Sequence, residues 1–217
     1  AVLRRWIGGG GLDDSVALSP DEEAWVKAHP VLKAAALSDF PPFQYLDDSG
    51  AYAGLAVEML QTAARRLGLE IKPEFGTWTQ GLAAIREKRL DLAPEIVDTP
   101  ERRDYMAFTE PYLTVPHVLA VRRGSVFRAT QDLDGRRLAL EKNYYTLGIV
   151  KEKLPQAEII EVETTLDALT AVAEGQADAY LGNRSLVEYL LAKTDLSALA
   201  IFHFPDLGPL RLSVGVR

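Results

Sequence analysis

The chain has 217 residues, enough for one large domain or two small lobes, either of which can bury a core. With 47% hydrophobic and 25% charged residues it is ordinary for a folded protein, and no apolar run approaches the roughly 20 residues needed to cross a bilayer as a helix. A net charge of −7 argues against nucleic acid as a partner, and the absence of cysteine removes disulfides, thiol nucleophiles and Cys-based zinc sites. His29, His117 and His203 are far apart in sequence and form no metal motif, so no cofactor or metal is expected.

The first 18 residues, "AVLRRWIGGGGLDDSVAL", combine an apolar–basic piece, four glycines and an acidic linker, and are expected to be the tail of a preceding segment. With no initiator Met and no signal peptide, the sequence looks like a mature or excised domain. The domain proper begins at "LSPDEEAW", where Ser19 is an N-cap, Pro20 takes the first helical position and Glu22 completes a capping box. "VLKAAAL" (31–37) reads as a buried strand ending in "SDFPPF". Ala56, Met59, Leu60, Ala63 and Leu67 recur at helical spacing, with Gly68 as the stop. "LEIKPEF" then reads as a strand, "WTQGLAAIREK" as a helix and "LDLAPEIV" as a strand.

The segment "TPERRDYMAFTEPY" (99–112) is too charged for a core strand and too broken by proline for a long helix. Arg102 stands out in it, because a guanidinium grips a carboxylate through two parallel hydrogen bonds. The other reading is an ion pair with Glu101 or Asp104. Beyond "VPHVLAV" the alternation resumes with "RRLALE", a helix after Tyr144, "AEIIEV", a helix from Thr164, "ADAYLG" and a helix from Asn183. This rhythm predicts an α/β fold with mainly parallel sheets. "GLAAIREKRLDLAPE" (81–95) and "ALTAVAEGQADAYLG" (168–182) share a design, with Ile85 aligned to Val172 and Asp91 to Asp178. The echo suggests two similar lobes, each offering the carboxyl ends of its strands to a ligand.

The ordered series "SDFPPFQYLDDSGAYAGLAVEMLQTAARRLGL", "WTQGLAAIREKRLDL", "TPERRDYMAFTEPYL" and "EGQADAYLGN" resembles the extracellular solute-binding proteins of family 3 over about residues 31–217. That family supplies the polar-amino-acid binding proteins of ABC importers and also serves as a Venus-flytrap sensor domain in the periplasmic regions of hybrid histidine kinases. The resemblance implies an α/β, two-lobed periplasmic-binding-protein fold whose lobes are joined by two hinge strands and close on a ligand. Lobe 1 would be 19–119 plus 208–217, lobe 2 would be 124–205, and the crossovers would lie at 117–123 and 203–210.

The resemblance also implies ligand positions. Phe40 and Trp78 become the two aromatic walls, Glu95 and Val97 the residues ahead of the arginine motif, and Arg102 the carboxylate anchor. On lobe 2, Asn143, Tyr144 and Tyr145 occupy the anion-binding turn, and Asn183 stands where an acid grips an α-ammonium. Three positions depart from the amino-acid pattern: Glu95 replaces a small residue, two tyrosines replace Ser-Thr, and Asn183 is neutral. The ligand is therefore expected to be either an acid lacking an α-ammonium or a molecule with a cation near Glu95.

Other readings of these residues stay open. Trp78 and Phe40 also fit as core aromatics, Glu95 as a solvated strand tip, Asn183 as a helix cap and "YYT" as a packed helix start. Catalysis is the rival class, since relatives of the fold include cyclohexadienyl and arogenate dehydratases. No paired carboxylates or G-x-S-x-G motif support it, so this domain is not expected to be an enzyme.

The expected function is a periplasmic sensor of a small polar or carboxylate ligand in a histidine kinase, next to another periplasmic domain or the transmembrane kinase, with a homodimer allowed in the full-length sensor. An importer binding protein is the alternative. "VLRRWIG" (2–8) looks like the tail of a helix that family members carry at their C-terminus, the arrangement of flytraps in tandem, with Trp6 expected to dock on lobe 1.

Overall fold

The computed structural model describes residues 17–127, 129–203 and 208–217. The expectations for residues 1–16, including docking of Trp6, lie outside the described residues.

Two compact units share the chain: residues 1–113 with 211–217, and residues 114–210. The first opens with helix α1 (Pro20–Ala28), whose start carries the expected capping box: the Glu22 amide donates to Ser19 Oγ at 3.4 Å and the Ser19 amide to Glu22 Oε2 at 2.9 Å. Strand β1 (Val31–Ala36) follows. Its burial alternates instead of being continuous, because one side of its first half faces solvent. A small sheet is built from β2 (Asp39–Phe40), β3 (Gln44–Leu46) and β4 (Tyr52–Ala53), with a cis Pro41–Pro42 bond between β2 and β3.

Helix α2 (Leu55–Arg66) buries Ala56, Val57, Leu60, Ala63 and Ala64 on one face and stops where Gly68 takes φ +69°, a left-handed conformation that glycine adopts without a Cβ clash. Then come β5 (Glu70–Phe75), α3 (Trp78–Arg86), β6 (Leu92–Val97), the short α4 (Pro100–Arg103), β7 (Ala107–Phe108) and β8 (Leu113–Val115).

The second unit contains β9 (His117–Arg122), a 3-10 turn (Thr130–Leu133), β10 (Arg137–Glu141), α5 (Thr146–Lys153), β11 (Glu158–Val162), α6 (Thr165–Ala173), β12 (Ala179–Asn183), α7 (Arg184–Lys193) and β13 (Leu199–His203). The last strand, β14 (Leu210–Val216), returns to the first unit's sheet.

The two main sheets repeat one plan. The first runs β5-β1-β6-β14-β7, with β8 also on β14; the second runs β11-β10-β12-β9-β13. In each, the first three strands are parallel and the next joins antiparallel, so the sheets are mixed and not mainly parallel as the rhythm of the sequence suggested. Pro73 is tolerated because β5 is an edge strand. Helices cover both faces of each sheet. In the first, Leu60 and Ala64 of α2 meet Leu32 and Leu92 on one side, and Ala84 and Ile85 of α3 meet Ala93 and Ile96 on the other. In the second, α6 and α7 pack on Ala139 and Tyr180 while α5 packs on Leu138, Leu140 and Leu181.

The sequence echo has a physical meaning. Asp91 and Asp178 each open the third parallel strand of their sheet and bond the first strand. The Lys33 amide donates to Asp91 Oδ2 at 2.8 Å, and the Arg137 amide donates to Asp178 Oδ2 at 3.0 Å. Each carboxylate also accepts from an arginine, Arg217 at 2.6 Å and Arg137 at 2.8 Å. The expected hinge at 117–123 coincides with β9. Residues 117–122 form an inner strand of the second sheet, and the units divide between Leu113 and Thr114 and between Leu210 and Arg211. Residues 204–207 of the other expected crossover lie outside the described residues.

Candidate functional site

In the first unit the arginine sits where the carboxyl end of β6 turns into α4. Thr99 precedes Pro100, and the single helical turn returns Arg102 toward the end of the strand it follows. The side chain is only 6% exposed, so it is not a solvated surface arginine. Its Nη1 donates to the Val97 carbonyl oxygen at 2.8 Å, and the guanidinium carbon lies 5.3 Å from the centre of the Trp78 ring. Of the two carboxylates weighed as ion-pair partners, Glu101 is held below the ordinary range chiefly by hydrogen bonds from its own amide and from Thr99, with the charge of Arg102 the smallest contribution. A cation over an indole face is attracted by the ring quadrupole, so Trp78 also fixes the position of the charge.

Trp78 is placed by the start of α3, where Thr77 and Gln80 form a capping box with bonds of 3.2 and 2.9 Å. It lines a cavity of about 370 Å³ together with Leu37, Gln44, Phe75, Thr77 and Pro94. Neither Phe40 nor Arg102 lines that cavity. The half-buried Phe40 ring stands 5.9 Å from Phe43.

Glu95 is not the solvated strand tip that was one of its readings. It is 4% exposed, and its Oε2 has no hydrogen-bond partner among the described residues, so Arg102 does not pair with that oxygen. Burial pushes its carboxyl well above the usual carboxylate range, favouring the neutral acid. Burial raises the phenols of Tyr52 and Tyr112, with the neighbouring Glu95 a smaller cause. Tyr52 donates to Gln44 Oε1 at 2.7 Å and Tyr112 to the Pro94 carbonyl at 3.0 Å. Neither tyrosine stood out in the sequence, because each looks like an ordinary sheet aromatic.

In the second unit the candidate residues stand at the carboxyl ends of β10 and β12. Asn183 ends β12, is 0% exposed and caps α7: its Oδ1 accepts from the Ser185 amide at 2.9 Å and the Leu186 amide at 3.4 Å. Its Nδ2 is buried without a hydrogen-bond partner among the described residues. The exposed Asn143 takes φ +57°, which an asparagine tolerates and which turns the chain from β10 toward α5. Tyr144 and Tyr145 follow with ring centres 4.6 Å apart, and Tyr145 lies 5.4 Å from the ring of His117.

Two residues of this cluster were not singled out from the sequence. His117, opposite Asn183 in the β9–β12 register, places Nδ1 2.7 Å from the Gly208 carbonyl oxygen, and burial holds its pKa below the ordinary histidine value. Glu141, at the end of β10, accepts on Oε1 from Thr165 Oγ1 and, at 2.8 Å, from the Tyr180 hydroxyl. Tyr180 reaches it by lying over Gly182, where an added Cβ would stand 2.0 Å from its oxygen. Among the described residues no cluster of His, Cys, Asp or Glu could hold a metal ion, and no helix is long and apolar enough to cross a membrane.

The sequence profile of the bacterial extracellular solute-binding proteins, family 3, matches residues 32–176. The chain belongs to that family. It is 27% identical over 223 aligned positions to the virulence sensor protein BvgS of Bordetella bronchiseptica, a match covering 99% of this chain and 18% of that protein. The domain therefore spans less than a fifth of this relative's length.

Among solved structures, the periplasmic VFT2 domain of Bordetella pertussis BvgS superposes with a TM-score of 0.80 at 27% identity, covering 92% of this chain and 86% of that one. The arginine-bound form of ArgBP from T. maritima superposes at 0.75 with 26% identity, covering 89% and 91%. The fold is thus the two-lobed α/β fold of periplasmic binding proteins, and the domain is a solute-binding Venus flytrap that resembles a sensor module and not an enzyme.

Proposed function

We propose that this domain is the periplasmic ligand sensor of a transmembrane histidine kinase and that its ligand is a small acid anchored by Arg102. The observation that carries this reading is the guanidinium held between the Val97 carbonyl and the Trp78 ring at the carboxyl end of β6. Ligands of open α/β sheets bind at strand carboxyl ends, and arginine matches a carboxylate through two parallel bonds. Trp78 and Phe40 supply apolar surface, and Asn143, Tyr144, Tyr145 and Asn183 stand at the corresponding end of the second sheet. A ligand that binds one conformation of the domain better than another shifts their populations, and that shift is the signal.

Glu95 and Asn183 bear on the class of ligand. A buried glutamic acid favoured as its neutral form and a neutral amide do not supply the fixed negative charge that an α-ammonium requires. The structure therefore favours an acid without that group.

Mass spectrometry of ligand carried through purification, joined to a thermal-shift panel of carboxylic acids, amino acids and polyamines, tests the reading. A carboxylic acid that raises Tm is the expected result. A response confined to polyamines would overturn the anchor, and a parent reading frame without a transmembrane helix and kinase region would overturn the sensor role. Phe40→Ala and Trp78→Ala should weaken binding of that acid by less than loss of Arg102 does.

A further inference from the structure

Beneath α3, at the carboxyl ends of β1 and β5, the first unit keeps a cavity of about 370 Å³. Ala35 and Ala93 line it from the sheet and Gly81 and Ala84 from the helix, residues too small to fill the space between the two layers. The layers come close at Gly81, where an added Cβ would stand 3.1 Å from the Cβ of Ala35. Leu37 and Trp78 extend the apolar wall, and Phe75, 48% exposed, continues it to the surface.

The lining restricts what can occupy this space. Its two charged side chains are already paired, Glu74 with Lys33 at 2.9 Å and Arg89 with Glu87 at 2.7 Å. Gln44 is 2% exposed, and its Oε1 accepts from the Leu37 amide at 3.2 Å and from the Tyr52 hydroxyl at 2.7 Å. A charged group entering such a lining gives up hydration that these engaged partners do not replace. An apolar group gains by leaving water. An apolar cavity of about 150 Å³ already holds a benzene ring, so this one has room for a ring and a spacer.

The cavity and Arg102 share a wall. The Trp78 ring that lines the cavity has its centre 5.3 Å from the guanidinium carbon. Pro94, also in the lining, stands three residues before Val97 on β6, whose carbonyl holds Nη1. Three residues of strand span about 10 Å, a distance that a short carbon chain between a carboxylate and a ring can cover.

We propose that this cavity is the subsite for the body of the ligand and makes the domain selective for monocarboxylic acids with an uncharged aromatic or branched aliphatic body. The inference rests on the reading of Arg102 as the carboxylate anchor. It needs residues of the first unit alone.

The test is calorimetry with 3-phenylpropionate and 4-methylpentanoate against glutarate and 4-guanidinobutanoate, acids whose far ends carry a charge. The apolar acids should bind at least about tenfold tighter. Ala35→Leu fills the cavity from the sheet side and should weaken 3-phenylpropionate at least about tenfold. In methyl-labelled wild type, nuclear Overhauser contacts should join the phenyl ring to the methyl groups of Ala35 and Leu37, a readout that does not depend on the variant folding.

Glutarate or 4-guanidinobutanoate binding best, with that binding lost in Arg102→Ala, would sink the subsite and leave the anchor standing. So would 3-phenylpropionate that makes no contact with Ala35 and Leu37, or that binds a folded Ala35→Leu unchanged. Ring contacts that persist at full affinity in Arg102→Ala would uphold the subsite and overturn the anchor. Binding by none of the four acids would overturn both.

Discussion

Glu141 shows how a single buried carboxyl sets a local stability balance. Thr165 and Tyr180 both donate to Oε1, while Oε2 is buried with no hydrogen-bond partner among the described residues. Burial raises its pKa, partly offset by those two bonds. A carboxyl whose folded pKa is raised stabilises the fold fully below the unfolded value and loses that contribution as pH rises through the folded value. Glu141→Gln keeps the accepting oxygen and removes the ionisable group. Urea unfolding at pH 7–8 should find this variant as stable as the wild type or more so, with the advantage fading toward the ordinary carboxylate range. A loss above about 1 kcal/mol at pH 7–8, the net worth of a hydrogen bond, would contradict this account. His117 runs the other way: its depressed pKa stabilises the fold above the unfolded histidine value, and that share is lost as pH falls through the folded one.

At the scale of elements, the paired aspartates are the feature to test. Asp178 ties the start of β12 to β10 through the Arg137 amide and guanidinium, and its carboxyl is held below the ordinary range chiefly by the hydrogen bond from the Arg137 side chain. Asp178→Ala should cost about 1–3 kcal/mol, the penalty of leaving a partly buried amide without its acceptor. Denaturant unfolding measures it, and a change under a few tenths would mean that water replaces the carboxylate at no cost.

The helix cap at Ser19 and the long periodic helices were legible in the sequence because each rests on contacts between near neighbours, whereas the paired aspartates, whose partners are distant in sequence, showed only as an echo. The antiparallel entry of β9 and β14 was not, since it depends on where the chain crosses between units. The short strands β2, β3, β4, β7 and β8 are too brief to display a period. Glu141 and Glu95 could not be told from solvated strand tips, because their burial is decided by elements distant in sequence. For Asn183 the sequence indicated the cap, whereas the burial of its Nδ2 became visible only in the structure.

For the molecule as a whole, membership of the solute-binding family and likeness to a sensor domain fix the class, and the named site residues carry the proposed chemistry. The account depends most on one buried guanidinium. The most direct test is a calorimetric titration of wild type and Arg102→Ala with the carboxylic acid that gives the largest thermal shift, with circular dichroism confirming that the variant is folded. The account predicts binding weaker by about 1.5–3 kcal/mol, the worth of a hydrogen bond to a charged group, which is roughly a 10- to 150-fold rise in Kd. Near-wild-type affinity in the folded variant would contradict it.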